Sequence, residues 1–365
     1  MGRSEAGKRI FVVAGARPNF MKVAPLMAAF HDEGSFEVSL VHTGQHYDEL
    51  MSDVFFSDLG LEPPDVSLGV GSGSHAEQTA AVLTGFEKLC LEEKPGLGIV
   101  VGDVNSTLAC ALAARKLGIA VAHVEAGLRS KNWDMPEETN RVLTDVISDY
   151  LFTPSADADD NLRREGIDAA RIHLVGNVMI DSLVRALGTL DSGRPRPDIE
   201  VEGAFGLLTL HRPSNVDDLQ RFGEVLGSLA ALDIPLVFPV HPRAAKQIAR
   251  DLDPGPSLKL MDPLGYYDFI ALMRESAFVV TDSGGIQEET TYLGIPCLTL
   301  RLQTERPTTI EQGTNELATL ESLPEQVSAI LSGSWKEGTV PELWDGHAAE
   351  RIVAVLSQGI EKRLT

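Results

Sequence analysis

Short apolar runs alternate with helical stretches along almost the whole chain, and that alternation restricts the fold more than any other feature. The runs "RIFVVAGA", "FEVSLVHTG", "LGIVVGD" and "AVAHVEAG" are separated by "FMKVAPLMAAFHDEG", "HAEQTAAVLTGFEKLCLEE" and "STLACALAARKLG", and "EETNRVLTDVISD" follows them. Runs that are apolar on both faces read as parallel strands covered by helices on each side. Residues 188–203, "GTLDSGRPRPDIEVEG", break the pattern with Gly, Pro and charge, and read as an exposed connection. The alternation then restarts with "FGLLTLH", "IPLVFPVHP", "LKLMDPL", "FVVTDSGG" and "IPCLTLR". A chain of 365 residues is long for one core. The expectation is α/β, with two Rossmann-like doubly wound domains over 1–175 and 176–350. A C-terminal helix over 351–365 is expected to return to the first domain.

Composition removes several function classes. The formal charge of −22 argues against a nucleic-acid surface, which needs an excess of Lys and Arg. An anionic small ligand stays possible if a few Arg residues and helix N-termini bind it locally. No apolar run approaches the roughly 20 residues that cross a bilayer, so no membrane partner is expected. The polar start "MGRSEAGKR" leads directly into a strand, which argues against a signal peptide and for the cytoplasm. Cys90, Cys110 and Cys297 have no metal-ligand spacing and read as reduced, buried thiols.

In open α/β sheets, ligands bind outside the carboxyl ends of the strands. Asp103 and Glu125 each stand where an apolar run stops, a costly place for a carboxylate with no task. The same rule places "GARPN", with Arg17, after the first strand. His211 follows "GLLTL", His241 follows "LVFPV", and Ser283, Gly284 and Gly285 follow "FVVTD". Were the two sheets to face each other, these residues would line one central cleft. Each motif also has an ordinary reading. The Ser-Gly-Gly turn could be a plain capped helix start, and Glu137 and Glu138 could be acids favoured by a helix dipole. A strand-end His is a candidate for acid catalysis or anion binding.

Taken in order, "GARPNFMKVAPL", "HTGQHYD", "VVGDVNSTLA", "HVEAGLRS", "MPEETNR", "VGNVMIDSL", "LHRPSN", "PVHPR", "TDSGGIQEE" and "TERPTT" resemble the non-hydrolysing UDP-N-acetylglucosamine 2-epimerases. The resemblance implies a GT-B-like fold, a homodimer, a UDP-sugar substrate and no cofactor or metal. It assigns Asp103, Glu125, Glu137 and His211 to the catalytic centre. It assigns Arg17, Arg141, His241, Ser283, Gly284, Gly285 and Glu289 to the UDP-sugar, with Phe269 against the uracil. The implied reaction inverts C2 of the sugar by loss and return of UDP, in the service of polysaccharide biosynthesis. A relative acting on a UDP-2,3-diacetamido-uronic acid, a hydrolysing epimerase, a glycosyltransferase of the same fold and a non-catalytic sugar-nucleotide binder are the competing readings.

Two departures stand out. Leu302 and Gln303 replace the polar pair expected before "TERP". Tyr47, Ser72 and Gly73 stand where substrate-activated bacterial members carry Arg, Arg and Gln, which predicts that substrate activation is absent.

Overall fold

The computed structural model describes residues 9–44, 56, 58–194, 197–199, 201–248 and 255–364. Contacts divide the chain into one unit of Met1–Val184 with Glu342–Thr365 and a second of Arg185–Pro341. The divisions fall after Val184 and after Pro341, later and earlier than the 175 and 350 read from sequence. The reason lies in helix Val178–Asp191. Its first turns bury Val178, Ile180 and Leu183. The Asp181 carboxylate accepts the backbone N–H groups of Ala348 and Ala349 at 3.1 and 2.7 Å. Trp344 Nε1 donates to the Pro154 carbonyl at 2.8 Å, so the returning segment is anchored before its helix begins. Helix Ala348–Leu364 then packs against helix Arg17–Glu33.

The first unit holds seven parallel strands: β1 (Arg9–Ala14), β2 (Glu37–His42), β3 (Val66–Ser67), β4 (Leu97–Val101), β5 (Ala120–Val124), β6 (Tyr150–Thr153) and β7 (Ile172–Leu174). Their order is β3-β2-β1-β4-β5-β6-β7. β4 and β5 are buried along their whole length, as strands covered on both faces must be. Helix Asn105–Lys116 buries Ala109, Cys110, Ala111, Ala113 and Ala114, small side chains that let it lie close to the sheet.

The second unit has six parallel strands: β8 (Gly206–Thr209), β9 (Leu236–Pro239), β10 (Leu258–Met261), β11 (Phe278–Thr281), β12 (Cys297–Thr299) and β13 (Asn315–Leu317). They run β10-β9-β8-β11-β12-β13 around a core that includes Phe222, Phe238, Phe278 and Leu298. The strand order reverses between β1 and β4 in one sheet and between β8 and β11 in the other. Ligands bind doubly wound sheets at such points. Among the described residues no helix is long and apolar enough to cross a membrane.

Candidate active site

At the reversal point of the first sheet, the segment after β1 is locked by Asn19. Its Oδ1 accepts the N–H groups of Gly15 and Ala16 at 3.1 and 2.9 Å, and its Nδ2 donates to the Val101 carbonyl at 3.2 Å. This joins the end of β1 to the end of β4. Arg17 opens the following helix, and its side chain lies outside the described structure.

Asp103 follows β4 across Gly102, which sits at φ +70°. A Cβ at Gly102 would lie 3.3 Å from Asn19 Nδ2 and from Lys22 Nζ, and 3.4 Å from Glu125 Oε2. Glycine is therefore favoured there by conformation, and a Cβ would crowd these three side-chain ends. Glu125 directly follows β5 in the left-handed region at φ +72°, a conformation costing on the order of 1 kcal/mol for a residue with a Cβ. Its buried carboxylate is ion-paired to Lys22. The pair offsets the desolvation that isolates a buried charge.

The acids of "MPEETNR" separate sharply. Glu138 is 1% exposed, and its carboxylate accepts from Ser130 N, Ser130 Oγ, Lys131 N and the Arg141 guanidinium. Burial alone pushes Glu138 up, but these donors hold it below the ordinary carboxylate range. Arg141 also donates Nη1 to Asp103 Oδ2 at 2.5 Å, so one guanidinium bridges Asp103 and Glu138. Arg141 is thus committed to two carboxylates in this structure. Glu137 is only partly buried, and among the described residues no hydrogen bond or ion pair engages its carboxylate.

In the second unit His211 follows β8, and its Nδ1 lies 3.0 Å from Asp282 Oδ1. Asp282 is fully buried and also accepts the backbone N–H of His211 and of Arg212 and the Asn215 amide. Burial pushes Asp282 up, but the hydrogen bond and charge of His211, with the Asn215 amide and the Arg212 N–H, hold it below the ordinary carboxylate range. With Nδ1 turned to Asp282, Nε2 is the ring nitrogen left to face outward. The His241 ring lies 5.8 Å from that of His211.

After β11, helix Gly284–Leu293 starts with Ser283 as its N-cap, and no side chain caps that first turn. Uncapped N–H groups at a helix start favour an anion. A Cβ on Gly284 would meet Arg306 Nη1 at 2.5 Å and Glu305 Oε1 at 3.0 Å, so glycine brings the turn against a buried ion-pair cluster. Gly285 continues the turn. Glu289, one turn further along, is fully buried and accepts a hydrogen bond from Tyr266 Oη at 2.8 Å. Burial pushes Glu289 up to about 8; the Tyr266 hydroxyl counteracts this and neighbouring Glu288 adds to it. Phe269 is partly exposed on the first turn of helix Tyr266–Glu275, the helix that carries Tyr266.

Asp103, Glu125, His211, His241 and the Ser283–Gly285 turn lie at strand ends or helix starts of their own units, Glu137 and Phe269 in first helical turns, and Arg141 and Glu289 one turn into their helices. Sequence reasoning missed Lys22, Asn19, Tyr266 and Asp282, and it named Glu138 only as an acid favoured by a helix dipole. Asp282 had a signal of the same kind as Asp103, an acid directly after an apolar run. Tyr47, on which the activation argument turned, lies outside the described residues, whereas Ser72 and Gly73 lie within them.

Two Rossmann-like units in one chain, one with clamped carboxylates at its strand ends and one with a glycine-opened helix and a His–Asp pair, define a GT-B-like nucleotide-sugar enzyme. The family model for UDP-N-acetylglucosamine 2-epimerase matches residues 28–357. A UDP-N-acetylglucosamine 2-epimerase of Methanocaldococcus jannaschii is 39% identical over 368 residues, covering 96% of this chain and 99% of that protein. A UDP-2,3-diacetamido-2,3-dideoxy-D-glucuronate 2-epimerase of Pseudomonas aeruginosa is 43% identical over 314 residues, covering 85% and 88%. The crystal structure of the M. jannaschii UDP-GlcNAc 2-epimerase in complex with UDP-GlcNAc and UDP superposes with a TM-score of 0.86 at 38% identity, over 96% of this chain and 100% of that one. The chain belongs to the UDP-N-acetylglucosamine 2-epimerase family and is an isomerase.

Proposed function

We propose that this enzyme inverts C2 of UDP-N-acetylglucosamine to give UDP-N-acetylmannosamine, by eliminating UDP and adding it back. The observation that carries the reading is the pairing pattern in the first unit: Glu137 is unengaged in a region where Asp103, Glu125 and Glu138 are all clamped. The C2 hydrogen has no adjacent ring carbonyl, so its direct removal would leave a poorly stabilised carbanion. In elimination the C2–H and C1–O bonds break together, a C1=C2 bond forms and UDP departs with the bonding pair. Carboxylates can take the proton and can stabilise positive charge at C1. Return of UDP to C1 with protonation of C2 from the opposite face completes the inversion.

In this reading Asp103, Glu125 and Glu137 share proton transfer and charge stabilisation, and Arg141 acts by holding Asp103. His211, Arg17 and the Ser283–Gly285 turn stabilise the departing diphosphate. His241, Phe269 and Glu289 bind the rest of UDP. The same reading makes the enzyme a cytoplasmic homodimer without a cofactor, supplying polysaccharide biosynthesis; sedimentation of the purified protein tests the dimer. Turnover of UDP-N-acetylglucosamine in deuterated water, followed by NMR, is expected to place deuterium at C2 of the product. Full retention of the original hydrogen overturns the elimination route.

The 43% identity to the diacetamido-glucuronate enzyme favours one second reading, the same chemistry on that sugar. Comparing kcat/KM for the two UDP-sugars decides between them.

A further inference from the structure

His123 lies in the "HVEAGLRS" segment and has no part in the reaction described above. It is the fourth residue of β5, it is fully buried, and each ring nitrogen faces an acceptor. Nδ1 is 2.6 Å from Asp145 Oδ1, and Nε2 is 2.8 Å from the Gly102 carbonyl oxygen. A neutral imidazole has one donor and one acceptor nitrogen. With Asp145 ionised, as its contacts from Arg129 and from the Gly127 N–H require, either neutral tautomer would set a ring lone pair against oxygen lone pairs at hydrogen-bond distance. Only a ring protonated on both nitrogens then satisfies both partners.

The surrounding charges point the same way. Arg129 pairs with Asp145 Oδ2 at 2.8 Å and with Glu165 Oε2 at 2.7 Å. With a neutral ring this group holds one cation against two carboxylates; an imidazolium brings it to balance. Burial pushes Asp145 up, but His123 and Arg129 together hold it below the ordinary carboxylate range.

The Gly102 carbonyl belongs to the left-handed turn that presents Asp103. Gly102 N donates to the Val124 carbonyl at 3.1 Å, and Asn140 Nδ2 donates to the Asp103 carbonyl at 2.9 Å. His123 Nε2 completes this set from inside the sheet, and the Lys22–Glu125 pair lies where a Gly102 side chain would project.

We propose that His123 is a positioning residue: a buried imidazolium, balanced by Asp145, whose Nε2–H pins the Gly102 carbonyl and thereby sets where Asp103 stands. The proposal rests on the reading of Asp103 as a proton-transfer group. Misplacing a catalytic group by about 1 Å costs on the order of 100-fold in rate. His123→Gln, which keeps one donor and loses the charge, is expected to lower kcat for UDP-N-acetylglucosamine by about that factor. Its KM and its UDP affinity by calorimetry are expected to stay within about threefold of the parent. Nitrogen-detected NMR of the unaltered protein, labelled at histidine, is expected to show protons on both His123 ring nitrogens at neutral pH. A singly protonated ring overturns the proposal even if the variant does not fold. Unchanged kcat in folded His123→Gln, while Asp103→Asn is silent, overturns the clamp alone. Normal turnover in Asp103→Asn overturns the underlying reading instead.

Discussion

In the first unit the carboxylates of Asp103, Glu125 and Glu138 each face a fixed cation, whereas in the second unit Glu289 faces a tyrosine hydroxyl and a like-charged neighbour. The two halves therefore prepare differently for a ligand. In the first, two cations, Lys22 and Arg141, fix the positions of three carboxylates before anything binds. In the second, an acid held protonated by burial and an uncapped helix start keep their hydrogen-bonding capacity open. The difference teaches that a buried acid can be held in two ways, ionised beside a cation or protonated by burial, and Asp282 beside His211 shows the first way in the second unit as well.

The largest expected effect breaks the first half. Asp103→Asn and Glu137→Gln are each expected to lower turnover by about 10²- to 10⁴-fold, the usual contribution of one general acid or base. UDP affinity, which the proposed function assigns mainly to the second unit, should be retained in both. Wild-type turnover in either variant removes that residue from the chemistry; loss of UDP affinity blurs the division of labour.

The next effect is on stability and belongs to the second half. Glu289 has its folded value raised from 4.5 to about 8. Between those values the unfolded chain has released a proton that the folded chain retains, so stability falls as pH rises. The contribution is fully present below pH 4.5 and is lost as pH passes through about 8. Glu289→Gln should remove this slope and stabilise the protein above neutrality by a few kcal/mol, since one pKa unit corresponds to about 1.4 kcal/mol. The urea midpoint measured across the range checks it, and an unaltered pH slope would show that Glu289 is charged in the folded state. The same variant should weaken UDP binding, which a stability gain alone would not do.

The smallest effect sharpens the choice of sugar. Leu302 is 94% exposed on the loop after β12, in a segment that includes Arg301, Glu305 and Arg306. Leu302→Ala should change stability by no more than about 0.5 kcal/mol, as for other exposed positions. It should shift the ratio of kcat/KM between UDP-N-acetylglucosamine and the diacetamido-uronate UDP-sugar. An unmoved ratio means that this loop does not read the sugar.

Much of the fold was legible because strand–helix alternation reports local burial, which depends on each residue and its near neighbours in sequence. The strand-end rule carried Asp103, Glu125, His211, His241 and the Ser283–Gly285 turn to the carboxyl ends of their strands without any coordinates. It could not say which acid in "PEE" stays open. Glu137 and Glu138 have the same chemistry, and only the course of the Ser130–Lys131 backbone turns one of them into an anchor.

The sequence alone thus determined most of the order of strands and helices along the chain, though not the short strands β3 and β13, and the residue types that stand where strands end. The tertiary structure decided the pairings. Lys22 reaches Glu125 across 103 residues, Arg141 reaches Asp103 across 38, and His211 N–H reaches Asp282 across 71. None of these can be read from periodicity, because each depends on which strands become neighbours and in what register. The same holds for the left-handed backbone of Glu125 and for His123 between Asp145 and Gly102, where separate elements meet on one imidazole ring.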